Sequence, residues 1–105
     1  MAMPVQDKQE VVERLRGARG HLAALGVAGI ALFGSFAAGK QNAQSDVDLL
    51  VEFAPGQHGF DNFMELSFLL ENLLGRTVEL VTPESLSPYL GPHILREVER
   101  VPIGA

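Results

Sequence analysis

The sequence contains no cysteine. That excludes a disulfide framework, a thiolate nucleophile and a zinc-thiolate centre, and it suits a reducing compartment. Basic residues are scarce: 8 Lys and Arg stand against 13 Asp and Glu, for a formal net charge of −5. A chain this acidic lacks the basic face with which proteins grip a phosphate backbone, so direct nucleic-acid binding is not expected and a basic protein partner is better matched. No apolar run is long enough to cross a membrane, and the N-terminus lacks a basic stretch followed by an apolar segment. The expectation is a soluble, cytoplasmic protein without a membrane partner. The three histidines, His21, His58 and His93, lie far apart and share no ligand spacing, which points to surface or capping roles. Tyr89 is the single tyrosine, expected in core or rim packing. Repeats, low-complexity segments and linkers are also missing. With 47% hydrophobic residues in 105, the chain can bury one core, and a single domain over residues 1–105 is expected.

What is present alternates between helical and strand patterns. From Gln6 to Leu25, Val11, Val12, Leu15, Ala18, Leu22 and Leu25 recur at helical spacing, so one amphipathic helix is expected, weakened by Gly17 and Gly20 and ended by Gly26. Arg14, Arg16 and Arg19, flanked by acids, read as a solvated helix face rather than an anion site. Val27 to Phe33 has strand composition, and a second apolar run ends at Phe53. Phe60 to Leu74 returns to helical spacing before Gly75 stops it, with Phe63, Leu66, Leu70, Leu73 and Leu74 on the core arc. Met64 and Phe68 interrupt the polar side beside Asp61, Glu65 and Asn72; they are either scattered surface apolars or the edge of a partner patch. Arg76 to Thr82 reads as a third strand. Thr82-Pro83-Glu84-Ser85 has the form of an N-cap, a first-turn proline and a short turn, and a last helix runs from Gly91-Pro92 to Arg100, docked by Ile94, Leu95, Val98 and Val101. The expected fold is α/β, a small mixed sheet flanked by helices.

The segment from Phe33 to Phe53 carries the chemistry. Gly34-Ser35 follows the first strand, and backbone amides converging in a tight glycine turn favour an anion such as a phosphate. Asp46 and Asp48 open the next strand, where residues two apart share a face and lie roughly 6.5 to 7 Å apart along the chain. Two such carboxylates at about 5 Å would repel by about 3 kcal/mol at an effective dielectric of about 20, which favours a cation between them. Mg²⁺ suits them, since it takes hard oxygen ligands from one or two carboxylates and completes its shell with water and substrate phosphates. Alone, Gly34-Ser35 is a plain turn, and Asp46 or Asp48 a strand-entry or solvent-facing residue. Gly-Ser, ten residues and then Asp-x-Asp, set between two apolar strands, is far more specific than its pieces.

On these residues the chain resembles the minimal nucleotidyltransferases, a branch of the polymerase-β-like nucleotidyltransferase superfamily that includes antitoxins paired with HEPN-domain toxins. The resemblance covers most of the chain. It implies that Gly34 and Ser35 bind nucleotide phosphates, with Gly39, Lys40 and Ser45 in the same nucleotide-binding set. It also implies that Asp46 and Asp48 hold Mg²⁺ and that Glu79 is the third acid, a metal ligand or general base for an attacking hydroxyl. In Arg76-Thr-Val-Glu-Leu-Val-Thr82, alternation puts Glu79 opposite the Val78 and Leu80 face. The implied reaction transfers AMP from ATP, or another nucleoside triphosphate, to a hydroxyl of a HEPN toxin.

One residue departs from the pattern. Where the family commonly reads Gly-Ser-x-Ala-Arg-Gly, this chain has Ala38 in place of the arginine. A guanidinium fork matches phosphate and a methyl group cannot replace it, while Lys40, two residues on, is either a substitute charge or a solvated loop lysine. Two further readings therefore stay open: a non-catalytic binding antitoxin with a degenerate site, and a transferase acting on a small aminoglycoside-like alcohol.

Overall fold

The computed structural model describes residues 2–57, 59–89 and 91–103. The expectation for His58 lies outside them. Four strands form one mixed sheet in the order β3-β2-β1-β4: β1 (Val27–Phe33), β2 (Val47–Phe53), β3 (Val78–Val81) and β4 (Glu99–Val101). β1 runs antiparallel to β2 and β4, and β2 runs parallel to β3. The parallel pair is joined through helix α4 (Phe60–Leu74), as a crossover between parallel strands requires.

Alternation along β2 divides the molecule. Val47, Leu49 and Val51 point to one face and join Ile30, Leu32, Val78 and Val101 in the core. Leu66, Leu70 and Leu74 of α4 close over that face, with Val11 and Leu15 of α1 (Lys8–Gly17) and Leu22 of α2 (Arg19–Ala24). Asp48, Leu50 and Glu52 point the other way. There Leu50 is buried opposite Ala31, and Glu52 pairs with Arg100 at 2.7 Å.

The long first helix is two. It breaks at Ala18, whose backbone (φ −103°, ψ 12°) leaves the helical range between Gly17 and Gly20, the two glycines that weaken the pattern. The break lets Leu22 turn back onto the sheet. The C-terminal segment also differs from expectation, because α5 (Gly91–Glu97) stops early and residues 99–101 form β4. The outer edge of β1 would otherwise expose unpaired backbone, and β4 covers it while placing Val101 across from Ile30 in the core. Leu95 is half-exposed and Tyr89 almost wholly exposed, so neither packs as expected. Pro83–Ser85 is a single 3-10 turn, closed by Ser85 Oγ, which accepts from the Thr82 amide at 3.1 Å. Among the described residues no helix is long and apolar enough to cross a membrane.

The residues before α1 are built into the fold. Val5 is fully buried and its amide donates to the Leu74 carbonyl at 3.0 Å, so the segment lies along the end of α4. Gly75 terminates α4 in the left-handed conformation (φ 68°), and a Cβ there would come within 2.8 Å of the Met3 and Pro4 backbone. Gly75→Ala should therefore lower stability in urea denaturation by about 1–3 kcal/mol, the range for non-glycine residues held in left-handed backbone. An unchanged unfolding midpoint would show that the N-terminal segment does not press on this turn.

Candidate active site

β1 delivers the chain to Gly34, where the backbone turns with φ 73° into a helix of little more than one turn, α3 (Gly34–Ala38). The glycine is needed for a second reason. A Cβ at Gly34 would come within 2.9 Å of the Asp48 Cγ, so the Asp48 carboxylate packs against the bare Cα. Sheet register produces this contact, since Phe33 is paired with Asp48 and Gly34 follows at the strand end. Gly39 ends α3 in the left-handed conformation (φ 72°), and the Lys40 amide donates to the Ser35 carbonyl at 2.9 Å.

Register also brings in the third acid. In the parallel β2/β3 pair Asp48 stands beside Glu79, so both side chains leave the same face, the one that carries no main core. Asp48 is half-buried while Asp46, one residue before β2, and Glu79, on the edge strand, are exposed. The Asp48 carboxyl is pushed up to about 6 from an ordinary 3.8. Loss of water through burial is the largest cause, followed by the negative charge of Glu79, a hydrogen bond with the Glu79 side chain and the charge of Asp46. The ion pairs among the described residues, Lys8–Glu99, Arg14–Glu10, His93–Glu97 and Arg100–Glu52, all lie elsewhere. Among the described residues the charges of Glu79 and Asp46 thus act on Asp48 with no basic side chain ion-paired to any of the three. Their hard oxygens and mutual repulsion fit a divalent cation. Among the described residues no three such side chains already form a coordination cage, so substrate oxygens and water would have to complete the shell.

Two clefts flank these acids. An open cleft of about 520 Å³ is lined by Gly34, Ser35, Ala37, Ala38, Lys40 and, from α5, Glu97. It gathers four of the residues expected to bind nucleotide or to modulate binding, namely Gly34, Ser35, Ala38 and Lys40. Ser45 is not among them. It lines a second cleft with Asp46, Arg76 and Thr77, and its Oγ accepts from the Asn42 amide at 2.9 Å, inside the loop that connects α3 to β2.

Sequence reasoning overlooked Arg76 and Glu97. Arg76 is nine-tenths buried and donates from Nε to the Val5 carbonyl at 2.7 Å and from Nη1 to the Asn42 and Ser45 carbonyls at 3.0 and 2.9 Å. Its Cζ lies 5.0 Å from the centre of the Phe36 ring in α3. The available signal was a basic residue wedged between the glycine that ends α4 and a buried strand, a place where a solvated side chain has little room.

The sequence profile of the nucleotidyltransferase domain family matches residues 12–101. The protein adenylyltransferase MntA of Thermococcus cleftensis is 42% identical over 73 residues, which are 70% of this chain and 73% of that one. A solved structure described as a candidate minimal nucleotidyltransferase superposes with a TM-score of 0.71 at 35% identity, covering 90% of this chain and 95% of that one. A toxin–antitoxin structure containing AMP-PNP superposes with a TM-score of 0.65 at 25% identity, covering 91% of this chain and 73% of that one.

The raised Asp48 value has a sign that can be checked in metal-free protein. The native state holds this proton more tightly than the unfolded chain, so the contribution of Asp48 to stability is complete below about pH 4 and is lost as pH rises through about 6. Urea denaturation should show Asp48→Asn without that downward slope and more stable than the wild type above pH 6. Parallel pH profiles for the two proteins would mean that Asp48 is not shifted.

Proposed function

The chain belongs to the nucleotidyltransferase domain family, and we propose that it transfers AMP from ATP to a hydroxyl of a partner HEPN-domain toxin, which it thereby restrains as an antitoxin. Enzymes of this type use a divalent metal; here Asp46 and Asp48 would hold Mg²⁺, with Glu79 beside them. The observation that carries the reading is the packing of Asp48 against the Gly34 turn with Glu79 in register, a tight glycine turn beside two carboxylates.

The residues divide the work. The amides at the start of α3 and the Ser35 hydroxyl receive phosphate oxygens, with Gly39 allowing the chain to leave the cleft and Lys40 supplying positive charge at its rim. Asp46 and Asp48 face the triphosphate, where a bound cation would neutralise phosphate charge and make the α-phosphorus more electrophilic. Glu79, exposed on the edge strand, takes the proton of the acceptor hydroxyl as its oxygen bonds to the α-phosphorus and the bond to pyrophosphate breaks. Ser45 serves instead through the connector that precedes Asp46. The absence of cysteine and of a membrane-crossing helix among the described residues supports a cytoplasmic setting for this reaction.

The test is co-expression with a HEPN protein encoded beside this chain, followed by intact-mass measurement with ATP and Mg²⁺. The expected result is a stable complex and a partner heavier by one AMP group or more, a gain that disappears when Asp46→Asn and Asp48→Asn are combined. The same double variant should lose Mg²⁺-dependent ATP binding in calorimetry while remaining folded. A complex without any mass gain would favour a binding-only antitoxin, the reading to which Ala38 lends some support.

Ala38 generates its own expectation. It is exposed and lines the 520 Å³ cleft, so the cleft has space for a longer side chain at this position. Ala38→Arg should tighten ATP binding by about 1.5–3 kcal/mol, the range for hydrogen bonds to charged groups. Unchanged affinity would mean that Lys40 already supplies the charge.

A further inference from the structure

We propose that Arg76 is a positioning residue that locks the two halves of the site, the phosphate turn and the metal-binding carboxylates, into one geometry. A buried guanidinium is costly to desolvate, and an apolar side chain would often serve stability as well, so its contacts are informative. No carboxylate pairs with Arg76 among the ion pairs of the described residues. Its donors go to backbone carbonyls. Nη1 collects those of Asn42 and Ser45, with Ala43 at a longer 3.4 Å, so residues 42–45 of the connector curl around one nitrogen. Ser45 is the residue immediately before Asp46. The guanidinium carbon also lies over the ring of Phe36, one residue beyond Ser35 and fully buried beneath the phosphate turn. One planar cation therefore touches the helix that follows Gly34, the loop that delivers Asp46 and, through Nε and the Val5 carbonyl, the N-terminal segment.

The planarity matters. Carbonyls reaching it from Val5, Asn42 and Ser45 while its carbon sits over an aromatic ring can be met together only by a fork with fixed donor directions, whereas an ammonium presents one compact charge. Arg76→Lys keeps the charge and loses the fork. Residues that orient the ligands of a metal typically change metal affinity or activity by about 10- to 100-fold when replaced.

The activity arm of the test rests on the transferase reading; the structural arm does not. In metal-free protein, hydrogen exchange should show the Ser45 amide, bonded to the Asn42 carbonyl, losing protection in Arg76→Lys while β1 and α4 keep theirs. In Mg²⁺ titrations with ATP and the partner, well below the melting temperature of the variant, half-saturation should shift upward and kcat fall, each by about 10-fold or more. A purely structural arginine would lower the melting temperature and leave kcat per folded molecule unchanged, which would overturn the proposal. Should Arg76→Lys fail to fold, the wild type still decides. Its Nε and Nη protons should give distinct, slowly exchanging NMR signals, and one averaged, rapidly exchanging signal would overturn the proposal. An inactive wild type that shows the exchange and NMR signatures would count against the transferase reading and not against the locking role of Arg76.

Discussion

The antiparallel register that sets Phe33 opposite Asp48 is the constraint from which most of this molecule follows. Side chains alternate along a strand, so a slip of one residue would turn Val47, Leu49 and Val51 out to water and Asp48 into the helices. With the register fixed, one face of the sheet closes under α1, α2 and α4, and the other is left with a single buried pair, Ala31 and Leu50, and a polar margin. The site occupies that margin where β1 ends and β2 begins, so that a turn and a carboxylate meet without crossing the core. Gly34 is the local consequence, since any side chain would take the space that the Asp48 carboxylate fills.

Crowding acids together is unfavourable for the isolated fold. Burial and two neighbouring negative charges hold a proton on Asp48 to about pH 6, and among the described residues no ion pair relieves them. Local rules of stability are usually broken where a protein works, and here the broken rule is charge balance. A cation with a triphosphate would meet the demand from both sides, which is why geometry, electrostatics and family membership point the same way.

Rigidity comes from short connections held by backbone contacts. The loop from α3 to β2 has no regular structure, yet its carbonyls are gathered by Arg76 and its amides by Ser45 and Asn42 side chains. Gln41 adds a bond to the Gln6 carbonyl at 3.1 Å. The N-terminal residues, the end of α4 and this loop thus share one polar seam behind the acids. Phe60 and Phe68 of α4 are exposed, and Met64 between them is partly covered.

Local pattern was enough for much of this. The strand from Val27, the helix from Phe60 to Leu74 with its Gly75 stop, the proline-led turn at Thr82 and the pairing of a Gly-Ser turn with Asp-x-Asp are all written in residues close together in the chain, where alternation and helical spacing report burial directly. Features set by distant partners were not legible. Ala18 breaks a helix because Leu22 has to return to the sheet, and residues 99–101 extend because the edge of β1 needs cover. Among the described residues no element packs over Tyr89, which is exposed. Glu79 could be put on a face by alternation, but its place beside Asp48 depends on which strand β3 joins and in which direction. Arg76 gave no periodic signal, as its partners lie 31 to 71 residues away. The sequence by itself determined the kinds of element and the chemical groups available, since both depend on neighbours along the chain. Only the tertiary structure decided the register, the shared face of Asp48 and Glu79 and the carbonyls closing around Arg76, because those depend on which surfaces meet when the core closes.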